Sequence, residues 1–178
     1  VVFCVHDKEL FVLLYQRQSE PYKKSLALPG GLIQTSLDES VDDAVNRVLK
    51  QKTGLEINYK EQVFSLGGWR DPRNWTLSIA YMALVNYHNV GNNSTWLRVD
   101  DAMKQTLAFD HNLILSNCLQ RLTNKVSYST LPIYLMEKEF TLPDLQKIYE
   151  VLLKEKLDKS SFRKKIDETN LLEETGAM

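Results

Sequence analysis

The chain has 178 residues and a formal net charge of −1, with 43% hydrophobic and 25% charged residues. These proportions are typical of a globular protein and exclude an intrinsically disordered chain. No run approaches the roughly 18 consecutive apolar residues of a membrane-spanning helix, so a membrane is not expected among the partners. Only two cysteines are present, Cys4 and Cys118, which excludes a disulfide framework and favours the reducing cytoplasm.

The N-terminal part is predicted to begin with a β-hairpin. Two apolar and β-branched runs, 1–5 and 10–15, are joined by a short polar turn. Because the first run is already strand-like, sequence before Val1 is expected to be missing from this chain. A polar stretch then leads to Leu28-Pro29-Gly30-Gly31, where the proline and the glycines mark the passage from a strand to a loop.

A helix is predicted between Ser40 and Gly54. Ser40 has the side chain of a good N-cap, Asp43 follows three residues later as in a capping box, and Gly54 is suited to end the helix. Five apolar residues recur at helical spacing and predict one buried stripe: Val41, Ala44, Val45, Val48 and Leu49.

Further strands are predicted at 57–66 and 76–85, on either side of a turn-rich segment at 67–73, with a short last strand at 96–99. A helix is predicted at 111–122. Five of its residues have the spacing expected for burial: Leu113, Ile114, Cys118, Leu119 and Leu122.

Two helices are predicted in the C-terminal part, at 142–153 and 160–170. Thr141 is suited to be the N-cap of the first helix, which has a proline in its first turn, and either Asp158 or Ser160 is suited to cap the second. The second helix is expected to turn Phe162, Ile166 and Leu171 inward.

The change from strands to helices predicts two domains with a boundary near Val126. Residues 1–126 combine mixed strands with few helices, which is an α+β layout, whereas residues 127–178 are helical.

The segment from Gly31 to Leu55 contains the clearest motif. In the Nudix box, a glycine and a glutamate precede a helix with the pattern Arg-Glu-apolar-x-Glu-Glu-x-Gly-apolar. The segment resembles this box in Gly31, Glu39, Arg47, Leu49, Gly54 and Leu55, although Gly31 and Glu39 are two residues further apart than usual. The resemblance implies a Nudix fold, a mixed sheet between helices, in which an ion pair of Glu39 and Arg47 holds the loop against the helix.

Three positions of this helix carry, in Nudix hydrolases, the glutamates that hold magnesium. Here they are Val48, Gln51 and Lys52. Magnesium prefers oxygen ligands in octahedral geometry, whereas valine cannot ligate and lysine brings a positive charge to the site. Neither a metal nor another cofactor is therefore expected, and no residue is assigned a catalytic role.

A cleft without a metal can still bind a nucleotide. Three arginines are candidates for bidentate contacts with a diphosphate: Arg17, Arg70 and Arg73. Three aromatic residues are candidates for stacking on an adenine: Trp69, Tyr22 and Phe109. Gly30 and Gly31 complete the candidate ligand site. Asp110 and His111 are open to either a structural or a ligand-binding role.

The second C-terminal helix begins in a strongly basic stretch. Such a stretch at the start of a second helix suits entry into the major groove of DNA, although a solvated basic face is the alternative. DNA contacts are assigned to six residues: Lys159, Ser160, Ser161, Arg163, Lys164 and Lys165.

The altered box together with the tail motifs at 140–146 and 159–165 resembles the Nudix-related transcriptional regulators of NAD metabolism over nearly the whole chain. The resemblance implies a repressor that senses an NAD-derived ligand such as ADP-ribose. It also implies a homodimer that binds operator DNA through a C-terminal winged helix. In this family the chain continues beyond Gly176 into a basic wing, so the winged helix is expected to be truncated at Met178.

Two other functions are kept open. One is an active Nudix pyrophosphatase with displaced metal ligands, such as Glu39 with Asp42 or Asp43. The other is a nucleotide-binding scaffold whose tail contacts protein rather than DNA. Turnover of ADP-ribose with Mg²⁺ separates the first from a sensor, and DNA binding separates the second.

Overall fold

The computed structural model describes residues 1–55, 57–87, 94–173 and 175. Its strands are β1 (Val2–His6), β2 (Glu9–Gln16), β3 (Leu26–Ala27), β4 (Tyr59–Asp71), β5 (Asn74–Leu84) and β6 (Ser94–Arg98). Its helices are α1 (Val41–Thr53), α2 (Val99–Ala102), α3 (His111–Tyr128), α4 (Leu142–Leu153) and α5 (Lys159–Asp167), with a short 3-10 helix at Leu131–Leu135. Within these residues, no helix has both the length and the apolar composition needed to cross a membrane.

The strands of the described residues form one mixed sheet. β1 lies between β2, to which it is antiparallel, and β5, to which it is parallel, and β4 is antiparallel to β5. β2 also pairs with β3 and with β6, both antiparallel. The predicted N-terminal hairpin is confirmed, with Phe3 opposite Val12, and so is the α+β fold class.

α1 forms for the local reasons that its sequence indicates. The hydroxyl of Ser40 accepts a hydrogen bond from the backbone N–H of Asp43, and the Asp43 carboxylate accepts one from the N–H of Ser40. Gly54 ends the helix with a φ of 67°, a left-handed conformation that glycine adopts without steric strain. Both predicted caps are confirmed, and Ala44 and Leu49 of the predicted stripe are buried.

The predicted turn-rich segment at 67–73 is wrong for most of its length. β4 continues through it, and the turn is confined to the two residues between Asp71 and Asn74, which pair with each other. Gly67 lies within the strand, where an added Cβ would stand 3.3 Å from the ring of Trp75. The glycine therefore allows a close approach of the indole, a use of glycine in strands that composition does not distinguish from a turn.

α3 is longer than predicted, and the predicted burial of Cys118 and Leu122 is confirmed. It ends at Tyr128 instead of residue 122 and buries Leu115, Cys118, Leu122 and Val126. Leu113 is 41% exposed, so its predicted burial is wrong. Two residues along an α-helix correspond to a rotation of about 200°, which places Leu113 on the side of the helix away from Leu115.

The C-terminal helices confirm one predicted cap and settle another. Thr141 caps α4 through its side chain, and Asp158, rather than Ser160, caps α5. α5 ends at Asp167, three residues earlier than predicted, and Leu171 is 59% exposed. The expected inward position of Leu171 is therefore wrong, because the helix has ended before the chain reaches it.

One hydrophobic cluster joins the N-terminal and C-terminal parts of the chain. It includes Phe3 of the sheet, Tyr149 of α4 and Phe162 of α5. The hydroxyl of Tyr149 donates a hydrogen bond of 2.9 Å to the carbonyl oxygen of Ser129, just beyond α3. The C-terminal helices thus pack on the end of α3, and the domain boundary near Val126 stays a prediction.

Candidate ligand cleft and nucleic-acid interface

A cleft of about 420 Å³ opens where the end of β2 faces the last turn of α1. Its volume is within the range of small-molecule sites in proteins. Its charged lining residues are Arg17, Lys52 and Arg73, and no carboxylate lines it in the described part of the chain. The remaining lining residues are Tyr15, Gln16, Gln18, Ser19, Gly30, Gln51 and Ser94. A concave site whose charged lining residues are all positive favours an anionic ligand.

Arg17 and Arg73 meet over the ring of Phe109. The guanidinium carbon of Arg17 lies 4.7 Å, and that of Arg73 5.7 Å, from the centroid of this ring. Both distances are within the range of cation–π attraction. Phe109 therefore holds together two cations that come from distant parts of the chain, and three of the predicted ligand residues are brought to one place.

Hydrogen bonds orient both arginines before any ligand binds. Nε and Nη2 of Arg73 donate to the two carboxylate oxygens of Asp71, at 2.9 and 2.6 Å. The hydrogen bonds from Arg73 lower the pKa of Asp71 to about 2. Nε of Arg17 donates to the carbonyl oxygen of Pro21 at 2.8 Å. Because a guanidinium has five N–H donors, each arginine keeps donors for an anion.

The other predicted ligand residues have different positions. Gly30 lines the cleft. The side chain of Arg70 lies outside the described residues, so its assignment stays a prediction. Among the three aromatic candidates, Tyr22 contacts Phe109 edge-on, with ring centroids 4.8 Å apart, whereas Trp69 is 79% exposed on the β4–β5 hairpin.

Several lining residues were missed by the sequence reasoning. The motif presents Gln51 and Lys52 only as replaced metal ligands, although the register of the box places them on the helix face that borders the cleft. Tyr15 and Ser94 carry no comparable signal. They become neighbours because β2 and β6 pair, with Tyr15 opposite Ser94.

The three positions that hold magnesium in hydrolases do not provide a fitting donor set in this chain. Val48 packs on the loop, since a Cβ added at Gly31 would lie only 2.8 Å from its Cγ2. The side-chain oxygen of Gln51 accepts a hydrogen bond from Nη1 of Arg47 at 3.4 Å, and Lys52 is a cation. Magnesium needs several oxygen ligands, and no group of three or more His, Cys, Asp or Glu side chains suited to a metal occurs among the described residues.

The predicted ion pair of Glu39 with Arg47 is wrong, because Asp38 takes its place. Nε and Nη2 of Arg47 donate to the two carboxylate oxygens of Asp38, each at 2.7 Å. Arg47 also donates to the carbonyl oxygen of Leu32 at 2.9 Å. The Asp38 side chain is 1% exposed, and the hydrogen bond from Arg47 lowers its pKa to about 2. The longer loop places the acid one position before the one that the motif register indicates.

Replacing Asp38 with alanine should lower the melting temperature of the protein by roughly 5 °C or more, because it leaves the Arg47 guanidinium without its buried partner. Replacing Glu39, the exposed neighbouring acid, with alanine should change it by less than about 1 °C. Thermal unfolding followed by circular dichroism measures both. A larger effect at Glu39 would restore the pairing that the motif suggests.

His111 has a structural role at the first turn of α3. Its Nδ1 accepts a hydrogen bond of 2.9 Å from the backbone N–H of Leu28, and thereby anchors the Leu28-Pro29-Gly30-Gly31 segment beside the cleft. Burial, together with the charge of Arg17, lowers the pKa of His111 from 6.5 to about 4. The imidazole is therefore neutral at pH 7, as an acceptor nitrogen requires.

This pKa predicts a loss of stability in mild acid. The unfolded chain binds a proton at His111 near pH 6.5 and the folded chain only near pH 4, so the contribution is full above pH 6.5 and is lost as the pH falls to 4. The difference corresponds to roughly 3 kcal/mol. Urea unfolding of the parent and of His111→Gln between pH 7 and 4 measures it. The variant should have the flatter profile, and parallel profiles would contradict the prediction.

The residues predicted to contact DNA lie on the exposed surface of α5. The helix buries Phe162 and Ile166. Arg163 and Lys164 are exposed, as are three residues at the start of the helix: Lys159, Ser160 and Ser161. Lys165 is exposed as well, although its Nζ donates to the carbonyl oxygen of Ser127 at 3.2 Å. The exposed surface of α5 is therefore available for phosphates and base edges, and the assignment of Lys165 to DNA contacts stays a prediction.

The lysines just before α5 differ from those on it. Lys154 pairs with Asp100 at 3.0 Å, and Lys156 pairs with Glu150 at 2.7 Å. No partner of Lys159 or Lys164 is found within the described ranges. On α5 itself Arg163 has only a long ion pair of 3.9 Å with Asp167, so the positive charge without a close carboxylate is concentrated on this helix.

The model of the protein family described as the NrtR DNA-binding winged helix domain matches residues 132–178 of this chain. These residues include α4 and α5. Over 181 residues the chain is 40% identical to the ADPR responsive transcriptional repressor NtrR of Acinetobacter baylyi, covering 98% of this chain and 72% of that protein. It is also 32% identical over 126 residues to an ADP-ribose pyrophosphatase of Methanocaldococcus jannaschii, covering 64% of this chain and 69% of that enzyme.

Solved structures of NrtR from Shewanella oneidensis resemble the chain. The structure in complex with a 27mer DNA has a TM-score of 0.94 and 36% identity, covering 99% of this chain and 84% of that one. The NUDIX domain in complex with ADP ribose has a TM-score of 0.65 and 35% identity, covering 68% of this chain and 84% of that one. The chain, a Nudix fold followed by a winged helix, therefore belongs to the NrtR family of transcriptional regulators.

Proposed function

We propose that this chain is a transcriptional repressor of NAD-metabolism genes that binds ADP-ribose in the cleft and operator DNA through α5. The proposal rests mainly on one observation: α1 carries Val48, Gln51 and Lys52 where Nudix hydrolases carry metal-binding glutamates. In a cleft with the lining cations Arg17, Lys52 and Arg73, a nucleotide diphosphate finds counter-charges, and the described lining residues include no carboxylate that could act as a metal ligand or general base. Such a site supports binding without hydrolysis.

One feature of the chain supports a DNA-binding dimer, and another supports a cytoplasmic location. A single short helix such as α5 contacts only a few base pairs, and helix-turn-helix proteins commonly pair two such helices on half-sites one DNA turn apart. We therefore infer a homodimer. Both Cys4 and Cys118 are free and buried, which agrees with a reducing compartment.

The test measures DNA binding by the intact protein with fluorescence anisotropy, using promoter DNA of NAD-biosynthesis genes. The protein should bind this DNA more tightly than a scrambled sequence, and ADP-ribose should change the affinity. Absence of a preference at low salt, with and without ADP-ribose, would exclude the proposal. If ADP-ribose still bound in that case, the scaffold function would take its place.

A hydrolase is the second candidate, because the chain is similar to an ADP-ribose pyrophosphatase. Incubation with ADP-ribose and Mg²⁺, followed by chromatography of the products, separates it from a sensor. Turnover near ordinary enzyme rates, about 1 s⁻¹ or more, would favour the hydrolase. The positions of Val48, Gln51 and Lys52 lead us to expect no such turnover.

A further inference from the structure

Lys52 borders the cleft at the position where a hydrolase carries a metal-binding glutamate. It belongs to the last turn of α1 and is exposed. Its Nζ lies 5.5 Å from the centroid of the Tyr15 ring on β2, and both residues line the cleft. The aromatic face favours a position of the ammonium beside the strand that leads to Arg17.

Gln51, the neighbour of Lys52, also occupies the position of a metal-binding glutamate with a group that can bind an anion. Because the side-chain oxygen of Gln51 accepts a hydrogen bond from Arg47, its NH₂ group is the part left for the cleft. An amide N–H donates to a phosphate oxygen and has no affinity for a cation. Gln51 and Lys52 thus present donors where two carboxylates would present acceptors.

The charges of the cleft match a diphosphate without a metal ion. A nucleotide diphosphate diester carries two negative charges, and hydrolases neutralise such groups with Mg²⁺. Here Lys52 faces the same cleft as Arg17 and Arg73, with no lining carboxylate among the described residues. Arg73 is already balanced by its ion pair with Asp71. Arg17 and Lys52 therefore supply the two positive charges that can neutralise the ligand, and they would repel a divalent cation.

We propose that the ammonium group of Lys52 binds the diphosphate of the effector nucleotide in the place that a divalent cation takes in Nudix hydrolases. This inference rests on the proposed function, since it assigns a residue and a metal-free mode of recognition to the same cleft. Lys52 is a binding residue that determines which form of the nucleotide, free or complexed with Mg²⁺, the site accepts.

A purely structural role of Lys52 is the competing explanation. Lysines in the last turn of a helix stabilise its dipole, and both Lys50 and Lys52 are in the last turn of α1. Lys50 is exposed but does not line the cleft. Lys50→Gln therefore removes the same dipole interaction without touching the ligand site and is the matched control for Lys52→Gln.

Calorimetric titration of the intact protein with ADP-ribose, in EDTA and in excess Mg²⁺, tests the proposal. The parent should bind equally well or better in EDTA. Lys52→Gln should bind about 10-fold or more weakly, as expected for the loss of a charged hydrogen bond, and Lys50→Gln should bind as the parent does. Lys52→Glu should bind least in EDTA and regain affinity with Mg²⁺, because one carboxylate and the phosphates together can hold this ion.

Each outcome decides between the inference and the proposed function. No binding of ADP-ribose by the folded parent would exclude the proposed function and the inference together. Binding that is retained in Lys52→Gln, or lowered equally by Lys50→Gln, would overturn the inference and leave the sensor intact. A parent that requires Mg²⁺, or a Lys52→Glu variant with the same affinity in EDTA and in Mg²⁺, would also overturn it.

Discussion

Replacing Arg163 and Lys164 together with alanine should weaken binding to operator DNA by about 100-fold or more near 0.1 M salt. Both side chains are on the exposed surface of α5, where each can contact a phosphate or a guanine edge. The salt dependence should also become shallower, by about one unit of log–log slope for each lost phosphate contact. Fluorescence anisotropy at several salt concentrations measures both quantities, and ADP-ribose binding should be unchanged.

The control for this prediction removes the same charge elsewhere. Lys50 is on α1, and Lys60 of β4 pairs with Asp42 of α1 at 3.3 Å, so both lysines lie at α1 and not on α5. Their double alanine variant should bind DNA within about 2-fold of the parent, since distant surface charges are screened at this salt concentration. An equal loss in both double variants would mean that net charge, and not the surface of α5, governs the affinity.

Replacing Arg17 with alanine should weaken ADP-ribose binding by about 10- to 100-fold, the range for a lost hydrogen bond between charged groups. Arg17 is oriented by the Pro21 carbonyl and by the Phe109 ring, so it meets the diphosphate with little loss of entropy. Arg17→Lys should recover only part of the affinity, because an ammonium cannot form a bidentate contact. Calorimetric titration gives the affinities.

The effect of ADP-ribose on DNA binding provides a second measurement on the Arg17→Ala variant. Without ligand, Arg17→Ala should bind operator DNA as the parent does, because Arg17 is far from α5 in sequence and belongs to the cleft. The concentration of ADP-ribose that changes DNA binding should rise by the same factor as the ligand Kd. Arg98→Ala is the control, since Arg98 pairs with Glu9 at 3.1 Å and does not line the cleft. A matching loss in this control would contradict the assignment of Arg17.

Phe109 connects the ligand prediction with the fold. It has a φ of 56°, which is uncommon for an aromatic residue, and its ring contacts both arginines. Phe109 lies between the buried residue Ala108 and α3, whose first residue is His111. These two fixed neighbours hold it in this conformation. The segment that starts α3 therefore also places the platform on which Arg17 and Arg73 meet.

Interactions within a few residues were predictable from the sequence alone. The caps at Ser40, Gly54 and Thr141 were each predicted and found, because a cap forms between a residue and backbone groups at most four positions away. The loss of the metal site was predictable for a similar reason. It depends on residue types at fixed spacing on one helix, and Val48 cannot be a ligand in any fold.

Tertiary structure decided which residues meet across the chain. The sequence could not distinguish Asp38 from Glu39 as the partner of Arg47, since the path of a longer loop sets which acid points inward. It also could not indicate that Lys165 turns toward Ser127. The first choice depends on the path of a loop, and the second on packing between helices that are far apart in sequence. Residue spacing alone describes neither of them. Residue types determined what this chain has lost, and the fold decided which side chains remain to bind.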